Sequence, residues 1–256
     1  MPRGTRASGI RAARSRSTEC PRIVAHRGAS GVAPENTMAA FAEALRAGAD
    51  AIELDLQLTR DGVPVVYHDR TLAKIGARGS IRTRTLAELR ALDFGRWFAP
   101  RFTGERIPTL ADVIARFADR LELWLELKPD GEPPSRVRAL VEAVVAEVRG
   151  RARVLCFDAR VLRVVARVAP ELARVRNIDV RPRDGELARE LAGAGALCLP
   201  ARLVDAALAR AVHARGCELF VYRCDTPRNL TRALRASVDG IIGDRPDWLR
   251  AELARA

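Results

Sequence analysis

Apolar and polar side chains alternate with a period of two along two segments of the chain. In residues 51–58 the polar face holds Glu53, Asp55 and Gln57, between isoleucine and leucine residues. In residues 121–128 the corresponding face consists of Glu122, Trp124, Glu126 and Lys128. Strict alternation of this kind predicts β-strands, because successive side chains of a strand point to opposite faces of its sheet.

Shorter apolar runs recur about every 20 to 25 residues and are separated by segments with helical periodicity. Between residues 137 and 148, valine and leucine recur at helical spacing, with arginine and glutamate on the other face. Strands alternating with helices predict parallel pairing. The predicted strands are residues 22–26, 51–58, 121–128, 154–157, 175–178, 196–199, 219–222 and 240–242. Eight such strands predict an α/β protein, a single closed (β/α)₈ TIM barrel.

One segment does not follow this alternation. Thr59-Arg60-Asp61-Gly62 is a hairpin signal, and Val63 to His68 reads as a return strand. A two-residue turn at Asp61-Gly62 would pair Arg60 with Val63 and place His68 opposite Asp55. A turn shifted by one pair would place His68 opposite Glu53. Residues 69 to about 108 then read as an insertion at the C-terminal end of the barrel, where barrels build their active sites.

The chain has the length and composition of one such barrel. It has 256 residues and a mass of 28.0 kDa, with 48% hydrophobic and 30% charged residues. This composition excludes a disordered chain, and no apolar run is long enough for a transmembrane helix. Residues 1–21 are predicted to be a disordered basic tail without the apolar segment of a signal peptide, and residues 22–256 to be the barrel.

The formal net charge of +12 raises the question of nucleic-acid binding. The basic residues are spread over most of the amphipathic segments, and aromatic residues are only 5% of the chain. We interpret the charge as solvated helix faces, predict no specific nucleic-acid partner, and leave open a weak contact with an anionic membrane surface. Five cysteines without a CxxC motif indicate free thiols and a cytoplasmic location.

Acidic side chains on adjacent strands suggest a metal site. Glu53 and Asp55 share one strand face, and Glu126 offers a third carboxylate. Like charges in a mostly apolar barrel are costly unless a cation neutralises them, and a hard divalent cation prefers oxygen ligands. The alternative, an exposed polar face on an edge strand, is weakened because a closed barrel has no edge.

Two of the three histidines fall at predicted strand ends around one mouth of the barrel. His26 ends the first strand, and either hairpin register brings His68 beside the carboxylates. His213 lies on an arginine-rich helix and is interpreted as exposed. Arg27 and Lys128 add positive charge suited to phosphate oxygens. This set favours phosphoryl chemistry, in which one histidine removes a proton and the other protonates the leaving oxygen.

Several motifs together resemble the glycerophosphodiester phosphodiesterase family. They are residues 24–29 (VAHRGA), 33–37 (APENT), 53–55 (ELD), 61–69 (DGVPVVYHD), 125–129 (LELKP), 157–158 (FD) and 238–246 (VDGIIGDRP). The set spans nearly everything from Arg22 onward. The sequence departs from the usual family pattern at Cys156, where serine is common, and at residues 222–225, where YRCD stands in place of Trp-Thr-Val-Asn.

The resemblance implies a barrel enzyme that hydrolyses glycerophosphodiesters to glycerol 3-phosphate and an alcohol, with a substrate hydroxyl attacking phosphorus through a cyclic phosphate. It implies His26 and His68 as the acid/base pair. It further implies Mg²⁺ or Ca²⁺ bound by Glu53, Asp55 and Glu126, and phosphate held by Arg27 and Lys128. Phe157 and Tyr222 are expected in the substrate pocket, although Tyr222 reads almost equally well as a core aromatic.

Two alternatives remain at this stage. A lysophospholipase D or phospholipase C-like lipid phosphodiesterase would use the same barrel. A non-catalytic phosphate- or nucleic-acid-binding protein would use the net charge, but it would not need the spaced site residues. The expected partner is a small-molecule glycerophosphodiester, and the sequence carries no signal for an oligomeric state.

Overall fold

Eight parallel strands form a closed barrel in the computed structural model, which describes residues 20–129, 131–148, 151–183 and 185–255. The predicted tail therefore lies outside the described residues, except for Cys20 and Pro21. The strands are β1 (Arg22–Ala25), β2 (Ala51–Leu58), β3 (Pro64–Val66), β4 (Glu122–Leu127), β5 (Ala152–Cys156), β6 (Ala173–Asn177), β7 (Ala196–Pro200), β8 (Glu218–Tyr222) and β9 (Gly240–Gly243). The barrel order is β1-β2-β4-β5-β6-β7-β8-β9, closed by β9 pairing with β1. The predicted (β/α)₈ barrel is thus confirmed.

The helices surround the barrel and follow the predicted alternation. They are α1 (Met38–Arg46), α2 (Leu86–Arg90), α3 (Leu110–Phe117), α4 (Pro134–Glu147), α5 (Ala159–Val168), α6 (Leu187–Glu190), α7 (Ala206–His213), α8 (Pro227–Ala236) and α9 (Pro246–Leu253). The start of α1 is fixed by Thr37, whose hydroxyl accepts the Ala40 N–H. None of the described helices is long and apolar enough to cross a membrane.

The core is divided by the barrel wall. Outside it, Ile52, Leu54 and Leu56 of β2 pack among helix side chains and are fully buried. Inside it, the lower part is filled by a separate cluster around Trp124 and Phe220, whose rings meet edge to face at 4.6 Å. The interior is therefore packed with apolar side chains towards the N-terminal ends of the strands, and the buried carboxylates of β2 and β4 lie nearer the C-terminal end.

The hairpin between β2 and β3 has a different register from the one predicted. Leu58 pairs with Pro64, so Tyr67 rather than His68 comes opposite Asp55, and its N–H donates to the Asp55 carbonyl oxygen at 2.9 Å. The cause is a three-residue loop, residues 60–62, in place of the expected two-residue turn: the Thr59 N–H bonds to the Val63 carbonyl oxygen, and Gly62 takes φ = +83°. The return strand is also shorter than predicted, because β3 ends at Val66.

The segment between β3 and α3 contributes no strand to the barrel. It contains short 3₁₀ turns and α2, and it has its own buried cluster, which includes Tyr67, Leu72 and Phe94. Tyr67 and Phe94 meet edge to face at 5.6 Å. This local core holds the segment against the C-terminal end of β2. His68 enters the segment directly after β3, and its position is therefore set by this packing rather than by strand pairing.

The five cysteines are free thiols, as the sequence predicted. Cys20 is exposed, and Cys156, Cys198, Cys217 and Cys224 are buried in the barrel or its surroundings. Burial raises the pKa of the Cys156 and Cys224 thiols to about 12. These thiols are therefore protonated and unreactive at neutral pH. The cytoplasmic location stays a prediction.

Candidate active site

Three carboxylates meet inside the barrel near the C-terminal ends of β2 and β4. Asp55 lies beside Glu126 in the strand register, and Glu53 precedes Asp55 on the same face. Each of the three offers an oxygen within 4.8 Å of the others, and all three side chains are buried. The cluster that the alternating pattern predicted is therefore present as a compact group.

Two cations contact this cluster. The Lys128 ammonium lies 2.9 Å from Asp55 Oδ1 and also pairs with Glu126, and Arg27 Nε lies 3.2 Å from Asp55 Oδ2. Burial would raise the pKa of the Asp55 carboxyl, but Lys128 and Arg27 hold it well below its usual range. Burial would lower the pKa of Lys128, but the two carboxylates keep it above its ordinary value. Asp55, Lys128 and Arg27 are thus all charged.

The third carboxylate is not balanced by these contacts. Glu53 Oε2 accepts the Arg27 backbone N–H at 3.0 Å, but Glu53 Oε1 is buried without a hydrogen-bond partner among the described residues. Burial, followed by the charges of Asp55 and Glu126, raises the pKa of Glu53 well above its usual value. Burial also raises the pKa of Glu126 to about 7. A raised pKa means that Glu53 keeps its proton when no cation is present, and a divalent cation held by the three carboxylates would take the place of that proton.

Both predicted catalytic histidines lie at the cavity beside these carboxylates, and each is held by a further acid. His26 Nδ1 lies 2.6 Å from Asp244, which follows β9, and His68 Nδ1 lies 2.8 Å from its neighbour Asp69. A carboxylate on Nδ1 fixes the ring orientation and leaves Nε2 as the nitrogen that exchanges protons. Burial lowers the pKa of His68 below its ordinary value, although Asp55 opposes this shift.

Glu35 extends the charge network beyond His68. One oxygen of Glu35 pairs with Arg27 at 3.0 Å and with Lys74 at 2.7 Å. Glu35 can also approach His68 and Asp69 closely enough for a shared cation. Because Arg27 and Lys74 already compensate Glu35, we interpret this group as support for Arg27 and His68.

The third histidine is not at this site. His213 ends α7, is only partly exposed, and its Nε2 lies 2.9 Å from Asp239. The expectation of a solvent-exposed histidine was therefore wrong. Asp239 also accepts the Leu219 N–H at 2.7 Å, so the pair joins α7 to the start of β9. The sequence pattern of an amphipathic helix does not reveal such an acid 26 residues away.

A cavity of about 270 Å³ opens above the carboxylates. His26, His68, Arg27, Lys128 and the two glutamates form its polar side. The opposite wall is apolar and includes Phe157 and Tyr222, whose rings meet edge to face at 6.2 Å. The Tyr222 hydroxyl donates to the Ile178 carbonyl oxygen at 2.8 Å, so the residue presents its ring rather than a free hydroxyl. Both predicted pocket residues therefore line the cavity.

Two asparagines support the carboxylates and were not singled out from the sequence. Asn36 Nδ2 donates to Asp55 at 2.8 Å, and Asn177 Nδ2 donates to Glu126 at 3.2 Å. Both are buried. The signal for Asn36 was the APENT motif, which we used only as part of the family resemblance. The available signal for Asn177 was its own position, a polar side chain at the C-terminal end of a barrel strand.

The sequence model of the glycerophosphoryl diester phosphodiesterase family matches residues 26–248. A glycerophosphodiester phosphodiesterase of Caldanaerobacter subterraneus is 34% identical over 238 residues, which cover 89% of this chain and 95% of that protein. Residues 26–248 contain the three carboxylates, both cavity histidines and every other residue that lines the cavity.

Solved structures show the same architecture. A glycerophosphodiester phosphodiesterase from Agrobacterium tumefaciens is 32% identical, with a TM-score of 0.74 and coverage of 91% of this chain and 100% of that chain. A phosphodiesterase from Oleispira antarctica, solved in complex with the product sn-glycerol-3-phosphate, is 27% identical, with a TM-score of 0.84 and coverage of 92% and 97%.

Proposed function

The chain belongs to the glycerophosphoryl diester phosphodiesterase family, and on that premise we propose that it hydrolyses glycerophosphodiesters to glycerol 3-phosphate and an alcohol, using a divalent cation and the pair His26 and His68. The observation that carries this proposal is the convergence of both histidines and the three-carboxylate cluster on one cavity. The product complex of the Oleispira antarctica relative supports the choice of substrate.

The two histidines carry the proton transfers in this proposal. One imidazole takes the proton of the attacking substrate hydroxyl as its oxygen bonds to phosphorus, and the other, as imidazolium, gives a proton to the oxygen of the leaving alcohol as its bond to phosphorus breaks. With the roles of the two histidines reversed, a water then attacks the cyclic phosphate and opens it to glycerol 3-phosphate. Asp244 and Asp69 hold the two Nδ1 atoms, so each ring presents Nε2 to the substrate. A carboxylate in this position also stabilises the imidazolium form while the proton is held.

Glu53, Asp55 and Glu126 would hold the cation, because their oxygens converge and Glu53 Oε1 is buried without a hydrogen-bond partner among the described residues. When bound, the cation neutralises charge on the phosphate oxygens. Arg27 and Lys128 line the same cavity and are the groups that bind the phosphate. An all-oxygen set is hard, so we propose Mg²⁺ or Ca²⁺ rather than a metal that prefers nitrogen or sulfur ligands.

The cavity size favours a small alcohol over a lysophospholipid. A volume of about 270 Å³ lies below the range of about 300–1,000 Å³ typical of sites for drug-sized ligands. The side chain of Phe157 is 42% exposed at the cavity edge, so an acyl chain would have to extend past it into solvent. Parallel assays on glycerophosphocholine and lysophosphatidylcholine distinguish the two substrates, and we expect faster hydrolysis of glycerophosphocholine.

The test of the proposal is glycerol 3-phosphate release by purified variants. We expect His26→Ala and His68→Ala each to lose about 10²- to 10⁴-fold in turnover, as is typical for removal of one positioned acid or base. His213→Ala is the matched control, because His213 is also bonded to an aspartate but lies outside the cavity. Turnover close to wild type in both cavity variants would refute the assigned roles.

A further inference from the structure

The catalytic cavity is lined by a third cation, which the proposed reaction does not use. Arg27 and Lys128 pair with buried Asp55, and their side chains are only 16% and 13% exposed. Arg223, which directly follows β8, also lines the cavity, but its side chain is 55% exposed. Its contacts are longer, at 3.3 Å to Asp225 and 3.5 Å to Asp244. Arg223 is therefore the cavity cation with the most freedom to meet a ligand.

The two aspartates beside Arg223 keep other partners if the guanidinium turns away. Asp244 is bonded to His26 Nδ1 and accepts the Ser30 hydroxyl at 3.1 Å. Asp225 accepts the Asp244 backbone N–H at 2.7 Å. A move of Arg223 towards a ligand would therefore leave neither carboxylate without a hydrogen bond.

The diester phosphate does not require this arginine. A phosphodiester carries one negative charge, and the cation site together with Arg27 and Lys128 already faces it in the proposed function. Arg223 directly follows Tyr222 and lies 3.5 Å from Asp244, the residue that holds His26, so its charge is at the part of the cavity lining that adjoins His26. A guanidinium at such a place is suited to a carboxylate or phosphate group, which it can bind through two N–H donors.

We propose that Arg223 is a specificity-determining residue that selects glycerophosphodiesters whose alcohol carries a second anionic group, a carboxylate or a phosphate. This inference rests on the proposed function, because it needs the diester phosphate to occupy the cavity. A cationic alcohol such as choline would bring a quaternary ammonium towards the guanidinium and is disfavoured at the same position.

The experiment compares kcat/KM for a matched series of glycerol 3-phosphate esters. The alcohols are ethylene glycol, 3-hydroxypropionate, ethylene glycol monophosphate and choline, which are neutral, carboxylate-bearing, phosphate-bearing and cationic. We expect the wild-type protein to prefer at least one anionic ester over the neutral one by about five- to tenfold, the value of one partly exposed charge-assisted contact. The carboxylate and phosphate arms identify which group Arg223 prefers.

Arg223→Gln should bring the ratio of anionic to neutral kcat/KM close to one, and Arg223→Lys should restore part of it. The ratio cancels any general loss transmitted through Asp244 to His26. Arg228→Gln is the control for losing one positive charge, because Arg228 is exposed on α8 and lines a different groove. A wild-type ratio near one, or a preference that survives in Arg223→Gln, would overturn the inference. Failure of the wild-type protein to release glycerol 3-phosphate from every ester would instead contradict the proposed function.

Discussion

The aspartate that contacts His26 shows how residues that are distant in sequence define one proton-transfer group. Asp244 lies 218 residues after His26, yet it approaches Nδ1 to 2.6 Å because β9 pairs directly with β1. The His26 N–H completes this junction by donating to the Gly243 carbonyl oxygen at 2.9 Å. The orientation of the His26 ring is therefore set by the closing pair of barrel strands.

We expect Asp244→Asn to lower kcat by at least about tenfold, a fraction of the ~10²–10⁴ that a positioned acid or base contributes. The amide keeps the shape of the side chain but loses the charge that stabilises the imidazolium. Steady-state kinetics should show the loss in kcat with little change in KM.

The matched control is Asp247→Asn, which removes an equal charge from an exposed aspartate paired with Arg245. Equal kinetics for the two variants would mean that Asp244 does not act on His26. Thermal unfolding of both variants distinguishes a folding defect from a loss of His26 positioning.

Single residues were predictable where a strand pattern or a motif presented them, and not where the barrel alone created the contact. Glu53, Asp55 and Glu126 follow from alternation, because a closed sheet places one face of each strand inside. Asn177 and Asp244 come to the site through strand pairing across the barrel. Their contacts depend on the order of the strands around the barrel, in which β9 adjoins β1 and β5 separates β4 from β6, and no local spacing contains that information.

At the scale of elements, the loop of the β2–β3 hairpin explains why the predicted strand pairing of His68 was wrong by one residue. Asp61-Gly62 fits a two-residue turn, and Arg60-Asp61-Gly62 fits a three-residue loop, because both need a glycine with positive φ. The structure has the three-residue form. His68 still lines the cavity, since the chain leaves the strand after Val66 and the packing of the following segment sets its position.

Gly62 and Gly28 have nearly equal φ but different surroundings. Alanine substitutions at the two positions therefore separate the cost of a left-handed backbone from the cost of a steric clash. Gly62 has φ = +83°, and a Cβ there would meet nothing within 4 Å. Gly28 has φ = +81°, but a Cβ there would lie 2.7 Å from the backbone of Ala40 in α1. We expect Gly62→Ala to lower the free energy of unfolding by about 1 kcal/mol, and Gly28→Ala by about 2–4 kcal/mol.

Urea denaturation of both variants measures this difference. Gly28 also follows His26 and Arg27 directly, so the relaxation forced by the new methyl group should lower turnover beyond the loss of folded protein. Equal destabilisation of the two variants would contradict the packing of residue 28 against α1.

At the scale of the whole molecule, the two ends of the barrel carry their charged side chains in different arrangements. The N-terminal end is sealed by a closed ring of alternating charges, in which Arg22 and Arg153 each pair with both Glu122 and Glu218. The Arg153 guanidinium also lies 5.4 Å from the ring centres of Trp124 and Phe220. The charges of the C-terminal end, in contrast, converge on an open cavity.

The ring predicts a pH dependence of stability. Burial would raise the pKa of Glu122, but Arg153 and its hydrogen bond lower it below its ordinary value of 4.5. A carboxyl whose folded pKa is depressed stabilises the protein above its unfolded pKa, and this contribution is lost as the pH falls through the folded value. Glu122→Gln should therefore be destabilising at pH 7, by an amount that shrinks as the pH falls below about 4.5.

Urea midpoints of the wild-type protein and the variant between pH 7 and about pH 3, which extends below the ordinary pKa of a glutamate, test this dependence. Glu171→Gln, at an exposed position, serves as the control. A difference between the wild-type protein and Glu122→Gln that grows towards acid pH would show that the sign is wrong.

The architecture was predictable because the strand spacing was regular, and all eight barrel strands lie within about two residues of the predicted positions. The charge ring was not predicted, although its members share a simple feature. Arg22, Glu122 and Glu218 are the first residues of their strands, and Arg153 is the second residue of β5. Charges at strand starts ordinarily read as solvated ends, and only closure of the barrel brings these four together.

The most direct test of the central claim is the metal dependence of glycerol 3-phosphate release. Protein treated with EDTA should lose turnover and regain it when Mg²⁺ or Ca²⁺ is added back. Glu53→Gln should need a higher cation concentration for half-maximal recovery, because the substitution removes one of the three converging carboxylates, the one whose buried Oε1 has no hydrogen-bond partner among the described residues. Full turnover in EDTA, or an unchanged titration for Glu53→Gln, would contradict the account.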